Sequence, residues 1–110
     1  MSNLTHYTAH VGSNPEKQFK STLFRSDHLL LGLNCLEPGQ EQRTHVHAGQ
    51  DKFYFVVEGM GQFVVGEEHR PAGEGMVVWA PAGVSHGVVN RGDRRLVLLV
   101  GIAPAPAEHS

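Results

Sequence analysis

Short apolar runs, broken at close intervals by glycine and proline, set the pattern of this chain. Val, Leu, Phe and Tyr concentrate in segments 22–24, 29–36, 43–47, 52–57, 61–65, 76–80, 87–89 and 96–102. Such residues suit a pleated, half-buried surface, so each run predicts a strand. Turn-forming groups separate them: Glu37-Pro38-Gly39, Glu58-Gly59-Met60-Gly61, Gly66-Glu67-Glu68, Ala72-Gly73-Glu74-Gly75 and Asn90-Arg91-Gly92-Asp93. No long stretch keeps a helical period, and no helix beyond about two turns is expected. Many short strands at nearly even spacing predict an all-β sandwich or barrel. Leu96 to Val100 is apolar without interruption, which predicts a strand covered on both faces. In segment 52–57, alternation puts Lys52 and Tyr54 on one face and Phe53 and Phe55 on the other.

The flanks read differently. Residues 1–20 are polar and weakly patterned, and predict an N-terminal arm that packs on a second subunit. Residues 21–102 form the barrel. The Ala/Pro tail, 103–110, cannot donate regularly to a ladder and should run extended on the surface or be disordered.

With 110 residues, one small domain is expected. A core of this size gains from association, so a homodimer is expected, with the arm and an outer sheet face in the interface. The net charge is −2 and no basic stripe exists, which argues against nucleic acid. The polar start of the chain argues against a secretory leader, and the apolar runs are too short to span a bilayer. The single cysteine, Cys35, has no internal partner and reads as a buried small apolar residue. This usage fits a reducing, cytoplasmic setting.

The candidate chemistry lies in histidines. His45 and His47 stand two apart on a predicted strand, so both imidazoles point to one face. His86, from a separate strand, completes a facial set of three nitrogen donors. Such a set suits a divalent transition metal with coordination positions left open for a ligand. Without metal, the same three side chains would be hydrogen-bonded pocket residues. His6, His10, His28, His69 and His109 lack partner spacing and read as surface residues.

Two motifs give these residues a context. Gly39, five residues, then His45-Val46-His47, with Gly59 further on, form the first. Gly75, Pro81, Gly83, His86 and Asn90 form the second. Together they resemble the two motifs of the cupin superfamily, over residues 39–90. The resemblance implies a jelly-roll (double-stranded β-helix) barrel, often paired into dimers. It also implies a metal site on His45, His47 and His86. The metal would be zinc, nickel, iron or manganese.

The family's glutamate ligand is missing. Counting six residues back from Gly59 reaches Lys52, which has no acceptor for a cation. Asp51 fits the shorter spacing after His47, but alternation points it away from the face of Lys52 unless a bulge re-aims it. Two readings of Lys52 follow: an ion pair with Asp51, Glu58 or Glu74, or an inward amine that binds an anionic group or moves a proton. Tyr54 shares its parity and is the second candidate catalytic residue. Trp79 reads as packing, and Gln50 and Arg43 as a solvated rim.

Two classes of function follow from the resemblance. One is a metal-dependent isomerase, lyase or dioxygenase acting on a small polar metabolite. The other is a non-catalytic module that holds a small ligand, with or without metal.

Overall fold

A computed structural model describes residues 2–107. Within them a 3-10 turn at Tyr7–Ala9 precedes nine strands: β1 (Phe19–Arg25), β2 (Leu30–Leu36), β3 (Glu41–His45), β4 (Asp51–Glu58), β5 (Met60–Val65), β6 (Glu68–Gly73), β7 (Val77–Ala80), β8 (His86–Val89) and β9 (Leu96–Ala103). They form an antiparallel five-stranded sheet, ordered β1-β2-β9-β4-β7, and a four-stranded sheet, β3-β8-β5-β6. The two sheets make the expected all-β jelly roll. Among the described residues no helix is long and apolar enough to cross a membrane.

The eight predicted runs all fall within strands, or within two residues of one. β6 is a ninth that the sequence did not predict. Its run Glu-His-Arg-Pro-Ala-Gly has no β-branched or aromatic residue. It is an edge strand, paired only with β5, where Pro71 stands opposite Gln62. An edge is where a sheet tolerates a residue without an N–H.

The all-apolar run is β9, hydrogen-bonded to β2 on one side and β4 on the other. Leu96, Leu98 and Val100 face inward and join Leu36, Tyr54, Val56, Phe63 and Val88 in the barrel core. Val97 faces outward and, with Leu33 and Cys35, forms a second core on the other side of the sheet. The N-terminal segment covers that face: Tyr7, Val11 and Phe19 pack against it. Its anchors are polar. The Tyr7 hydroxyl donates to Glu58 Oε2 at 2.8 Å, Ser21 Oγ to the His10 carbonyl at 2.7 Å, and Gln40 Nε2 to the Asn14 carbonyl at 2.7 Å. The arm thus lies on its own barrel, and β1 starts at Phe19, inside the segment read as arm. Cys35 is buried as expected, and burial pushes its thiol pKa up.

The motif glycines turn the chain. Gly59 has φ +84°, and a Cβ there would meet the Arg95 carbonyl oxygen at 2.5 Å. Asn90, fully buried, donates through Nδ2 to the carbonyls of Leu36 and Arg94, both at 2.9 Å. It ties the end of β8 to β2 and to the loop before β9. The tail is held at the surface through residue 107: Gln50 Nε2 donates to the Pro104 carbonyl at 3.1 Å, and Arg25 to that of Pro106.

Deleting residues 2–12 should uncover the outer core. The expected outcome is stability lower by about 2 kcal/mol or more, from a few exposed apolar side chains. Cys35, protected in the full chain, should become reactive to a thiol reagent under native conditions. A Cys35 equally slow in both proteins contradicts this account of the arm.

Candidate metal centre

The three histidines meet at the inner face of the four-stranded sheet. His45 ends β3 and is paired directly with His86, which opens β8. His47 lies just beyond β3, past the exposed Val46. Two features fix this end of the sheet. The Gly83 amide donates to the His47 carbonyl at 3.0 Å, which locks the second motif's loop onto the first motif. Gly83 adopts φ +79°, which lets that loop bend back.

The ring nitrogens converge. His45 Nε2 lies 3.0 Å from His47 Nε2, and one ligand atom from each of the three residues falls within 4.8 Å of the others. His45 Nδ1 is 2.7 Å from the Arg43 carbonyl, and His86 Nδ1 is 3.1 Å from that of Val84. A carbonyl can only accept, so in both rings Nδ1 carries the hydrogen and Nε2 presents its lone pair. His86 Nε2 is buried without a hydrogen-bond partner. A buried nitrogen lone pair aimed at two other imidazoles is costly unless something fills the gap. Burial, followed by the charges of nearby basic groups, holds the pKa of His47 down and that of His86 at about 4. Neutral imidazole is the form that ligates. The donor set fits a divalent transition metal.

Lys52 points into the barrel and is 3% exposed. The ion-pair reading is overturned, because each acid proposed for it is engaged elsewhere. Asp51 faces outward and its Oδ1 accepts from the Ala82 amide at 2.9 Å. Glu58 pairs with Arg95 at 3.0 Å, and Glu74 accepts from the Gly59 amide at 3.2 Å. Asp51 therefore ties β4 to the loop after β7 and stands outside the histidine cluster. Lys52 Nζ donates to Gln42 Oε1 at 3.3 Å and sits 4.7 Å from the centre of the Tyr54 ring. Burial, with the charge of Lys20 adding to it, lowers its pKa to about 7. The Tyr54 hydroxyl donates to the same Gln42 oxygen. Its ring lies 6.3 Å from that of His86, and burial raises its pKa, so it keeps its proton.

Gln42 is the residue the sequence reading missed. Strict alternation back from His45 would put Arg43 inward and Gln42 outward. A register shift in β3 between Gln42 and His45 reverses this. Gln42 is buried, and Arg43 is exposed beside Glu41. Trp79 also differs from expectation. It is 56% exposed on the edge strand β7 and lines a surface groove with Val77, Pro71 and Pro81, away from the histidines. Gln50 lies at the surface against the tail. His6 and His10 bond locally to Thr8 and Thr5, His28 and His69 are exposed, and His109 lies outside the described residues.

Comparison with known proteins agrees with the fold. The cupin domain profile matches residues 32–102. The crystal structure of TT1209 from Thermus thermophilus is similar, with a TM-score of 0.92 and 41% identity, over 96% of this chain and 100% of that one. A conserved protein with a double-stranded β-helix domain from Klebsiella pneumoniae shares the fold at a TM-score of 0.90 and 21% identity, over 97% and 94% of the two chains. An uncharacterized protein of Streptomyces coelicolor is 40% identical over 62 residues, which span 56% of this chain and 58% of that relative's length.

The buried lysine has a signature in stability. Its pKa is about 7 when folded, against an ordinary value of 10.5. Between these values the unfolded chain holds more protons, so this group makes stability rise with pH. Below pH 7 the full penalty applies, on the order of a few kcal/mol. Lys52→Met should therefore be more stable than the parent at pH 6, with the gap closing towards pH 10. Denaturant unfolding across that range measures it, and a constant gap would show that Lys52 is not desolvated.

Proposed function

Because this chain belongs to the cupin domain family, we propose that it is a small metal-dependent enzyme acting on a small polar metabolite. His45, His47 and His86 hold a divalent transition metal: zinc, nickel, iron or manganese. The observation that carries this reading is the buried, partnerless Nε2 of His86, facing the other two imidazoles. A cluster kept only for packing would satisfy that nitrogen with a protein hydrogen bond.

When bound, the metal supplies a Lewis acid for isomerase or lyase chemistry, or, as iron, a centre for dioxygenase chemistry. The chain's own residues do the rest. The carbonyls of Arg43 and Val84 hold His45 and His86 in the ligating tautomer. Lys52 holds or moves a proton at Nζ, since its pKa lies near neutrality. Tyr54 keeps its proton and, through the shared Gln42 oxygen, positions Lys52. The apolar barrel walls exclude water from these groups.

Metal analysis of tag-free protein should give one transition metal per chain. The double variant His45→Ala/His47→Ala should lose it while keeping the β-sheet circular dichroism spectrum. Retention of stoichiometric metal would mean that other residues are the ligands.

Position 52 offers a second test. Lys52→Glu puts a carboxylate where the family's fourth ligand stands and removes a charge that opposes the cation. Zinc should bind at least about tenfold more tightly, since one removed repulsion and one added attraction each exceed about 1 kcal/mol in a dry site. Calorimetric titration of both proteins measures this. Unchanged affinity would place Nζ too far from the metal to act on it.

A further inference from the structure

The inner face of the five-stranded sheet carries a partly open cavity of about 190 Å³. Lys20, Thr22, Asn34 and Lys52 give it polar lining, and Leu30, Val100 and Ile102 give it apolar walls. None of its lining residues is acidic. The buried polar residues among those described are Asn34, Gln42, Lys52, His86 and Asn90, again without a carboxylate.

A buried ammonium is costly to keep unless it is paired. Lys52 is 3% exposed, and its partners are neutral: one amide oxygen at 3.3 Å and one aromatic face. A second lysine, Lys20 of β1, opens onto the same cavity. Lys52 has an acid next to it in the sequence, Asp51, yet that carboxylate is turned outward to an amide. The fold thus brings two lysine side chains to one partly open cavity and lines it with no acid.

We propose that this cavity is an oxyanion subsite: Lys20 and Lys52 bind a negatively charged carboxylate or phosphoryl group of the ligand. This rests on the metal-site reading and deepens it by naming the substrate class, an anion that reaches from the cavity to the histidines. The link between the two is Lys52, whose Nζ lies 4.7 Å from the centre of the Tyr54 ring, which is itself 6.3 Å from the ring of His86. Asn34 adds an amide to the cavity wall, and the apolar side chains leave room for a short carbon skeleton.

The test uses malonate, its neutral counterpart malonamide, and inorganic phosphate as probes, titrated by calorimetry into zinc-loaded protein. Malonate or phosphate should bind and malonamide should not. Lys52→Met, which preserves length and folds as an apolar replacement, should weaken anion binding by at least about tenfold, the worth of one charge-assisted hydrogen bond. Lys20→Gln, on an exposed strand position, should weaken it several-fold, and both variants should keep their zinc. Tighter malonate assigns the site to a carboxylate, and tighter phosphate assigns it to a phosphoryl group. The His45→Ala/His47→Ala variant separates this inference from the metal reading. Anion binding that persists there, still sensitive to Lys52→Met, supports the subsite whatever the fate of the metal. Equal affinity for malonate and malonamide, or anion binding unaffected by both lysine variants, would overturn it.

Discussion

A strand that is apolar on both faces must be covered on both faces, and β9 imposes that constraint on this chain. Its inward Leu96, Leu98 and Val100 need a second sheet opposite them, which closes the barrel. Its outward Val97 needs a cover that two sheets cannot supply, and the N-terminal arm provides it. Burying each of these side chains is worth about 1.5–3 kcal/mol. The polar segment at the start of the chain is therefore part of the fold, held by Tyr7, Val11 and Phe19. The same closure makes the interior dry. Dryness is what depresses the pKa values of His86 and Lys52 and raises that of Tyr54.

The site then depends on where strands end. His45 and His86 face each other across one ladder, and His47 joins them because the Gly83 amide ties its carbonyl to the loop before β8. Each motif position has a mechanical task. Gly59 takes a backbone conformation that no side chain accepts next to the Arg95 carbonyl. Asn90 uses its amide to hold two carbonyls at the far end of the same strand. The chemistry and the geometry come from the same short segments, which is why the spacing of so few residues carries so much information.

Eight strands, the double-sided burial of β9 and the histidine triplet were legible because each rests on a local rule: residue type, alternation or fixed spacing. What was not legible rests on non-local facts. β6 has the composition of a loop and is a strand only because β5 offers it a partner. The arm reads as cover for a second subunit rather than for its own barrel because its three apolar anchors are scattered among polar residues. Gln42 was hidden by the register shift in β3, which no pattern in that short run announces. Lys20 carries no local signal, because Lys52, which lines the same cavity, is distant along the chain. Trp79 reads as packing from its place at the end of a strand before Pro81, whereas an edge strand leaves it half in solvent.

Lysine at position 52 inverts the charge balance of the interior. A carboxylate there would offset part of a divalent cation's charge. Three neutral imidazoles offset none, and an ammonium beside them adds to the excess. Two like unit charges about 4 Å apart repel by about 4 kcal/mol at an effective dielectric of about 20. Burial lessens that conflict by letting Lys52 lose its proton near pH 7. An anion entering from the cavity would lessen it in a second way, by supplying the missing negative charge and allowing the ammonium to persist. The affinity of the three histidines for a metal would therefore depend on what else is bound. An anionic ligand and the metal would each strengthen the binding of the other, as linkage requires of two sites that share one uncompensated charge.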